Sequence, residues 1–360
     1  MNEREPLVSV ENLTVRFVSR DATVHAVNGV DFTLDRGELL CILGESGSGK
    51  SVTLRAMMRL LPAHRAIIGG RVLIGDADVL AMQPQALTEL RGAKVAMIFQ
   101  EPMVAFDPVY TIGRQIAETV MRHEGGGYVA ARRRALDLLE LVQIPSAARR
   151  LANYPHELSG GMRQRAMIAL ALSCRPSLLL ADEPTTALDA TVQIQILLLL
   201  RRLQRELGMA VLFVTHDVGV ATEMADRIAV MYAGRFVETG PVEAVIETPA
   251  HPYTKGLLAS TVHGALRGQR LQAIPGSPPD LTRLSPGCTF APRCSRAADA
   301  CLATDPAAVW LGPQHMARCL WPADAGASRP DMTALGEGDK RAGSPASRRL
   351  PASKNSFDQL

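Results

Sequence analysis

Gly44-Glu45-Ser46-Gly47-Ser48-Gly49-Lys50-Ser51 decides how this chain is read. It follows the apolar run Leu39-Leu40-Cys41-Ile42-Leu43 and precedes a stretch expected to be helical. A buried strand, a glycine-rich turn and a helix in that order make a phosphate site. Glycines let backbone N–H groups turn inward around phosphate oxygens, and the helix N-terminus adds positive potential. Lys50 is expected to reach the β- and γ-phosphates and Ser51 to ligate Mg²⁺. A merely flexible Gly/Ser loop would need neither flanking element.

Working outward, Leu178-Leu179-Leu180-Ala181-Asp182-Glu183 is a second buried strand, ending in two carboxylates. Acids at the carboxyl end of a parallel strand sit where α/β sheets bind ligands. Asp182 fits the residue that holds Mg²⁺ through water, and Glu183 is placed to polarise the water attacking the γ-phosphate. Read alone, the pair could equally cap a helix. His216 follows the run Val211–Thr215 and could sense the γ-phosphate from the same rim. Gln100 follows Val95–Phe99 and carries a carboxamide able to contact Mg²⁺ or the lytic water. Either residue would be uninformative in isolation.

The rest of the chain suits an α/β protein. Leu7, Val8, Val10, Leu13, Val15, Phe17, Val30, Phe32 and Leu34 alternate with polar residues, the pattern of a half-buried antiparallel layer. The continuous apolar runs predict a mostly parallel sheet covered on both faces. Helices are expected after Lys50 and around residues 131–141, 162–172 and 192–207, and a helical subdomain over about 101–165 interrupts the alternation. With 360 residues, 47% hydrophobic and 21% charged, the chain has the composition of a folded protein. A net charge of +3 supplies no strong basic field for gripping a duplex, so no nucleic-acid partner is expected. No apolar stretch approaches the roughly 20 residues of a membrane span, and a cytoplasmic chain is expected.

Cys288, Cys294, Cys301 and Cys319 crowd one Pro- and Gly-rich segment, whereas Cys41 and Cys174 read as packing residues. Four thiolates suit Zn²⁺ or an iron–sulfur cluster, and without a C-x₂-C pair a zinc ribbon is less natural.

Leu158-Ser159-Gly160-Gly161-Met162 opens another helix with free N–H groups, a second anion site distinct from the first. With Gly44–Ser51, Gln100, Leu178–Asp182, Glu183, Ala187-Leu188-Asp189 and His216 in this order, residues 5–260 resemble the ATP-binding cassette (ABC) ATPases. The resemblance implies a P-loop NTPase cassette: a parallel-sheet core with an antiparallel β-subdomain and an inserted helical subdomain. It implies that ATP and Mg²⁺ are bound by Gly44, Glu45, Ser46, Gly47, Ser48, Gly49, Lys50 and Ser51, with Mg²⁺ also met by Gln100 and Asp182. Glu183, His216 and Gln100 take the catalytic roles, Phe17 stacks on adenine, and Asp189 belongs to the D-loop. Two such cassettes pair head to tail, so Ser159, Gly160 and Gly161 cap the ATP of a partner cassette. A homologous heterodimer is preferred over a homodimer. Met162 stands where Gln is commoner, with little loss of activity expected.

Ile98–Met103, Tyr154–Leu158 and His251-Pro252-Tyr253-Thr254-Lys255-Gly256-Leu257-Leu258 are similar to the oligopeptide/dipeptide importer ATPases. That implies a cassette over 1–262 and a cysteine-containing extension over 263–322 with a [4Fe–4S] cluster on its four cysteines, while the small, polar, Pro-containing composition of 323–360 predicts a disordered tail. It also implies two transmembrane permease subunits, an extracytoplasmic substrate-binding protein, and a peripheral position on the cytoplasmic face of the inner membrane. Peptides are the expected cargo, with nickel, glutathione-like or other small solutes as alternatives. A non-transport ABC ATPase acting on nucleic acid or the ribosome is the alternative of another class.

Overall fold

Runs that are apolar at every position become strands with neighbours on both faces. The computed structural model describes residues 5–186, 188–260 and 273–322. The tail expected to be disordered, Ala187 and the expected boundary at 262/263 lie outside them. In chain order the strands are β1 (Val8–Val18), β2 (Thr23–Leu34), β3 (Leu39–Leu43), β4 (Ala66–Ile74), β5 (Ala77–Asp78), β6 (Val95–Ile98), β7 (Leu178–Asp182), β8 (Ala210–Thr215), β9 (Arg227–Tyr232), β10 (Arg235–Pro241), β11 (Val309–Trp310) and β12 (Met316–Ala317). They make a four-stranded antiparallel sheet, β2-β1-β4-β5, and an eight-stranded sheet, β11-β12-β10-β9-β3-β8-β7-β6. From β9 to β6 the larger sheet is parallel.

β3 shows why its sequence has no polar position. Leu39, Cys41 and Leu43 pack on one face with Leu179, Ala181, Val211 and Phe213. Leu40 and Ile42 turn to the other face, with Leu178, Leu180, Leu212 and Val214. A period of two with both faces covered gives a continuous apolar run. Each fully buried Leu or Ile contributes roughly 1.5–3 kcal/mol, which makes this strand a rigid base for the loop that leaves it.

The small sheet is larger than the alternation of the first forty residues predicts. β4 joins β1, and its Gly69-Gly70 pair disguises it as a turn. The pair lies opposite a bulge in β1 between Glu11 and Thr14. A Cβ on Gly70 would sit 2.3 Å from the Asn12 carbonyl oxygen, so only glycine fits there.

Residues 101–165 form helices and turns with no strand among the described residues: Pro102–Ala105, Ile112–Glu124, Tyr128–Leu141, Ala147–Arg150 and the start of Gly160–Ala171. The remaining expected helices span Lys50–Met57 and Ala190–Leu207.

The C-terminal extension, read from sequence as a module of its own, shares the cassette's sheet. β12 pairs with β10 through Glu238↔Ala317 and Thr239↔Met316. The fully buried Glu238 carboxylate accepts from the N–H groups of Ala250 (2.7 Å) and His251 (2.9 Å) and meets His315 Nε2 at 2.8 Å. On another side the Leu281 carbonyl accepts from His25 N–H at 2.9 Å.

Candidate functional site

The loop between β3 and helix Lys50–Met57 crosses the carboxyl edge of the large sheet, beside the ends of β7 and β8. Gly49 begins the helix at φ 108°, and a Cβ there would lie 2.4 Å from the Ala26 carbonyl oxygen. Both conditions demand glycine. Gly49→Ala is therefore expected to lower stability by about 2–4 kcal/mol, read as an earlier urea midpoint at unchanged slope.

Lys50 is buried, and its Nζ donates to the carbonyls of Gly44 (2.8 Å) and Glu45 (2.9 Å). Burial pulls its ammonium below the usual lysine range, while Glu183 and Asp182 oppose that fall. Ser51 Oγ donates to Asp182 Oδ1 at 2.6 Å, uniting two expected Mg²⁺ ligands that lie 131 residues apart. Asp182 is fully buried, and desolvation raises its pKa against the hydrogen bond from Ser51 and the charge of Arg55, 3.4 Å away. Ser48 Oγ is buried without a partner. An orphaned hydroxyl inside a glycine-rich turn, beside a lysine and a Ser–Asp pair, fits a bound phosphate with its cation. Ser51, Asp182 and Gln100 would hold Mg²⁺, which neutralises phosphate charge when bound.

Glu183 follows β7 with φ 45°, a left-handed conformation unusual for a side chain of its size. Its Oε2 accepts from Thr186 Oγ1 at 2.9 Å and lies 3.2 Å from His216 Nδ1, so the two residues expected to act on the γ-phosphate touch. Gln100 is exposed beyond β6, which pairs with β7 and so shares the rim.

Ser159 caps helix Gly160–Ala171, its Oγ accepting from Met162 N–H at 3.4 Å. Asp189 caps helix Ala190–Leu207 in the same way, accepting from Val192 N–H at 3.0 Å. Among the described residues no hydrogen bond or ion pair joins Ser159, Gly160, Gly161 or Asp189 to the glycine-rich loop. Phe17 is half-buried against the small-sheet core, paired with Val24 and Ala66.

The ABC transporter family profile matches residues 27–186, and that of the oligopeptide/dipeptide transporter C-terminal region matches residues 237–301. A putative peptide import ATP-binding protein of Brucella abortus is 48% identical over 88% of this chain and 97% of its own length. The dipeptide transport ATP-binding protein DppD of Bacillus subtilis is 46% identical over 88% of this chain and 94% of its own. The chain is an ABC ATPase of the oligopeptide/dipeptide transporter family. Solved cassettes share the fold. The dimeric post-hydrolysis state of the cassette MJ0796, bound to ADP and Pi, superposes with a TM-score of 0.59 at 30% identity, covering 65% of this chain and 98% of that one. The cassette cbiO1 of Clostridium perfringens, part of the ABC transporter complex cbiONQ, gives 0.57 at 27%, covering 67% and 91%.

Two features of this ABC ATPase escape a reading of its cassette motifs. The first is the His-Pro-Tyr stretch. His251 is buried, and desolvation pushes its imidazole down to about 4, so the neutral ring accepts from Tyr253 N–H at 3.0 Å through Nδ1. Tyr253 is fully buried, and its hydroxyl accepts from Glu45 N–H at 2.9 Å. The second is Arg293 of the extension, whose guanidinium forks onto Glu45 with contacts of 2.7 and 3.0 Å. Only Glu45's place in the glycine-rich loop hinted that it would need partners.

The four late cysteines line one pocket with Phe290 and Trp321. Burial raises the thiols of Cys288 and Cys319, and each also feels Cys301. Cys294 Sγ accepts from Arg296 N–H at 3.4 Å. Among the described residues no group of three or more His, Cys, Asp or Glu is arranged to hold a single metal ion, and the comparisons lend iron–sulfur binding no support.

Proposed function

We propose that this ABC ATPase powers import of di- or oligopeptides through partner membrane subunits. The observation that carries the reading is the joint match: a complete cassette followed by the oligopeptide/dipeptide region, in a chain 48% identical to a protein named for peptide import. Glu183 acts as base toward the attacking water, His216 contacts Glu183 and the γ-phosphate, and Gln100 meets Mg²⁺ or water. Phe17 stacks on adenine.

Among the described residues Ser159, Gly160 and Gly161 make no hydrogen bond to the glycine-rich loop of their own chain, and the working unit is a pair of cassettes, preferably this chain with a homologue. Val104 and Val109, 68% and 67% exposed beside Gln100, offer the membrane subunits an apolar seat. Among the described residues no helix is long and apolar enough to cross a membrane, in keeping with a peripheral subunit on the cytoplasmic face.

The proposal extends to a [4Fe–4S] cluster on Cys288, Cys294, Cys301 and Cys319. One Zn²⁺ would draw four sulfurs to within about 3.8 Å of one another, whereas a cluster offers a separate iron to each thiolate. Four cysteines lining one pocket supply the number of thiolates such a cluster takes. When bound, it supplies cross-linking and a one-electron couple. Anaerobically purified protein is expected to be brown, with about four irons and four sulfides per chain. Colourless protein lacking both removes the cluster.

Growth tests the cargo. In an amino-acid auxotroph deleted for its own peptide uptake, the chain with its permeases and binding protein should restore growth on a dipeptide source, and Glu183→Gln should not. No growth on the dipeptide, together with uptake of labelled nickel or glutathione by the same cells, would reassign the substrate.

A further inference from the structure

Glu45, the second residue of the glycine-rich loop, is held at three points. Its N–H donates to Tyr253 Oη (2.9 Å), its carbonyl accepts from Lys50 Nζ (2.9 Å), and its carboxylate receives the fork of Arg293 (2.7 and 3.0 Å). The Arg293 side chain is 4% exposed, against 28% for Glu45. Arg293 is itself fixed: Nε donates to the Pro275 carbonyl at 2.8 Å, and its guanidinium lies 3.4 Å from Tyr232 Oη. Phe290, three residues earlier, packs edge-on against Tyr232 and Tyr253, with ring centroids 5.3 and 5.4 Å away. A planar two-pronged contact from a rigid base fixes orientation as well as charge, which a lysine could not do.

We propose that Arg293, with Tyr253, is a positioning residue of the nucleotide site: the C-terminal extension sets the conformation of Glu45, and through Glu45 that of the phosphate loop and Lys50. The inference rests on reading Gly44–Ser51 as the nucleotide loop. Both prongs of Arg293 are engaged by Glu45 and its Nε by the Pro275 carbonyl, so its influence falls on binding, through preorganisation of the loop, and not on the chemical step. The turn carrying Arg293 runs between Cys288 and Cys294, so the extension's fold and the loop's readiness are linked through one side chain.

The test uses the full-length chain, measuring ATP hydrolysis, equilibrium binding of a fluorescent ATP analogue, and thermal melting without nucleotide. Arg293→Gln is expected to raise both KM and Kd about tenfold with kcat within about twofold, and Arg293→Lys to recover part of the loss. Glu45→Gln, which leaves the extension intact, should raise Kd by a similar factor and answers the question even if Arg293→Gln misfolds. The double variant should bind no worse than either single one. Unchanged KM and Kd in Glu45→Gln or in folded Arg293→Gln, whether or not melting falls, would overturn the proposal, as would additive losses. Lys50→Ala separates the two readings. If it still binds and hydrolyses ATP, the loop assignment itself fails; if it is inactive while the Arg293 and Glu45 variants match wild type, only the positioning role fails.

Discussion

Glu183→Gln is expected to lower kcat for ATP hydrolysis at least about a hundredfold while changing nucleotide affinity less than about twofold. The carboxylate is 14% exposed and braced by Thr186 Oγ1 and His216 Nδ1. Gln is nearly isosteric and keeps an oxygen for Thr186, but it cannot take a proton from water. The backbone points the same way. A non-glycine residue at φ 45° costs on the order of 1–3 kcal/mol, and such strain persists where it aims a side chain. Phosphate release and equilibrium binding on the same preparation separate the two effects. Undiminished turnover would remove Glu183 from the chemistry.

Asp182→Asn is expected to move activity and stability in opposite directions. Desolvation is the first cause acting on Asp182, and it raises the folded-state pKa above the unfolded value. Near neutral pH the charged form is thus disfavoured by folding, despite the hydrogen bond from Ser51 and the charge of Arg55. Asn removes that charge and can still accept from Ser51, so the nucleotide-free melting temperature should stay level or rise. The same change removes the negative charge facing Mg²⁺, and Mg²⁺-dependent hydrolysis should fall about a hundredfold or more. A lower melting temperature with intact hydrolysis would contradict both halves.

What sequence revealed here was local, and what it concealed was long-range. Leu39–Ser51 could be read because strand, turn and helix are contiguous, and each enforces its own pattern: apolar at every position, then glycine, then a Lys-Ser pair. Leu178–Glu183 was legible for the same reason. β4 was not, because the bulge at Asn12 that requires its glycines lies in another strand. The partners of Glu45 were hidden more deeply. Tyr253 and Arg293 lie 208 and 248 residues away, and neither residue type in its own neighbourhood signals a contact with a phosphate loop. Asp189 shows a further limit, since its helix-capping bond with Val192 coexists with the D-loop role expected of it.

Peptide accumulation in vesicles is the most direct test of the central claim. The chain is assembled with its partner cassette, its permeases and a peptide-loaded binding protein, with ATP supplied on the cassette side. Labelled dipeptide should accumulate only with ATP and Mg²⁺, hydrolysis should rise when the loaded binding protein is added, and Glu183→Gln should abolish both. Hydrolysis that proceeds at an unchanged rate with or without the loaded binding protein, with no dipeptide accumulating, would contradict the account.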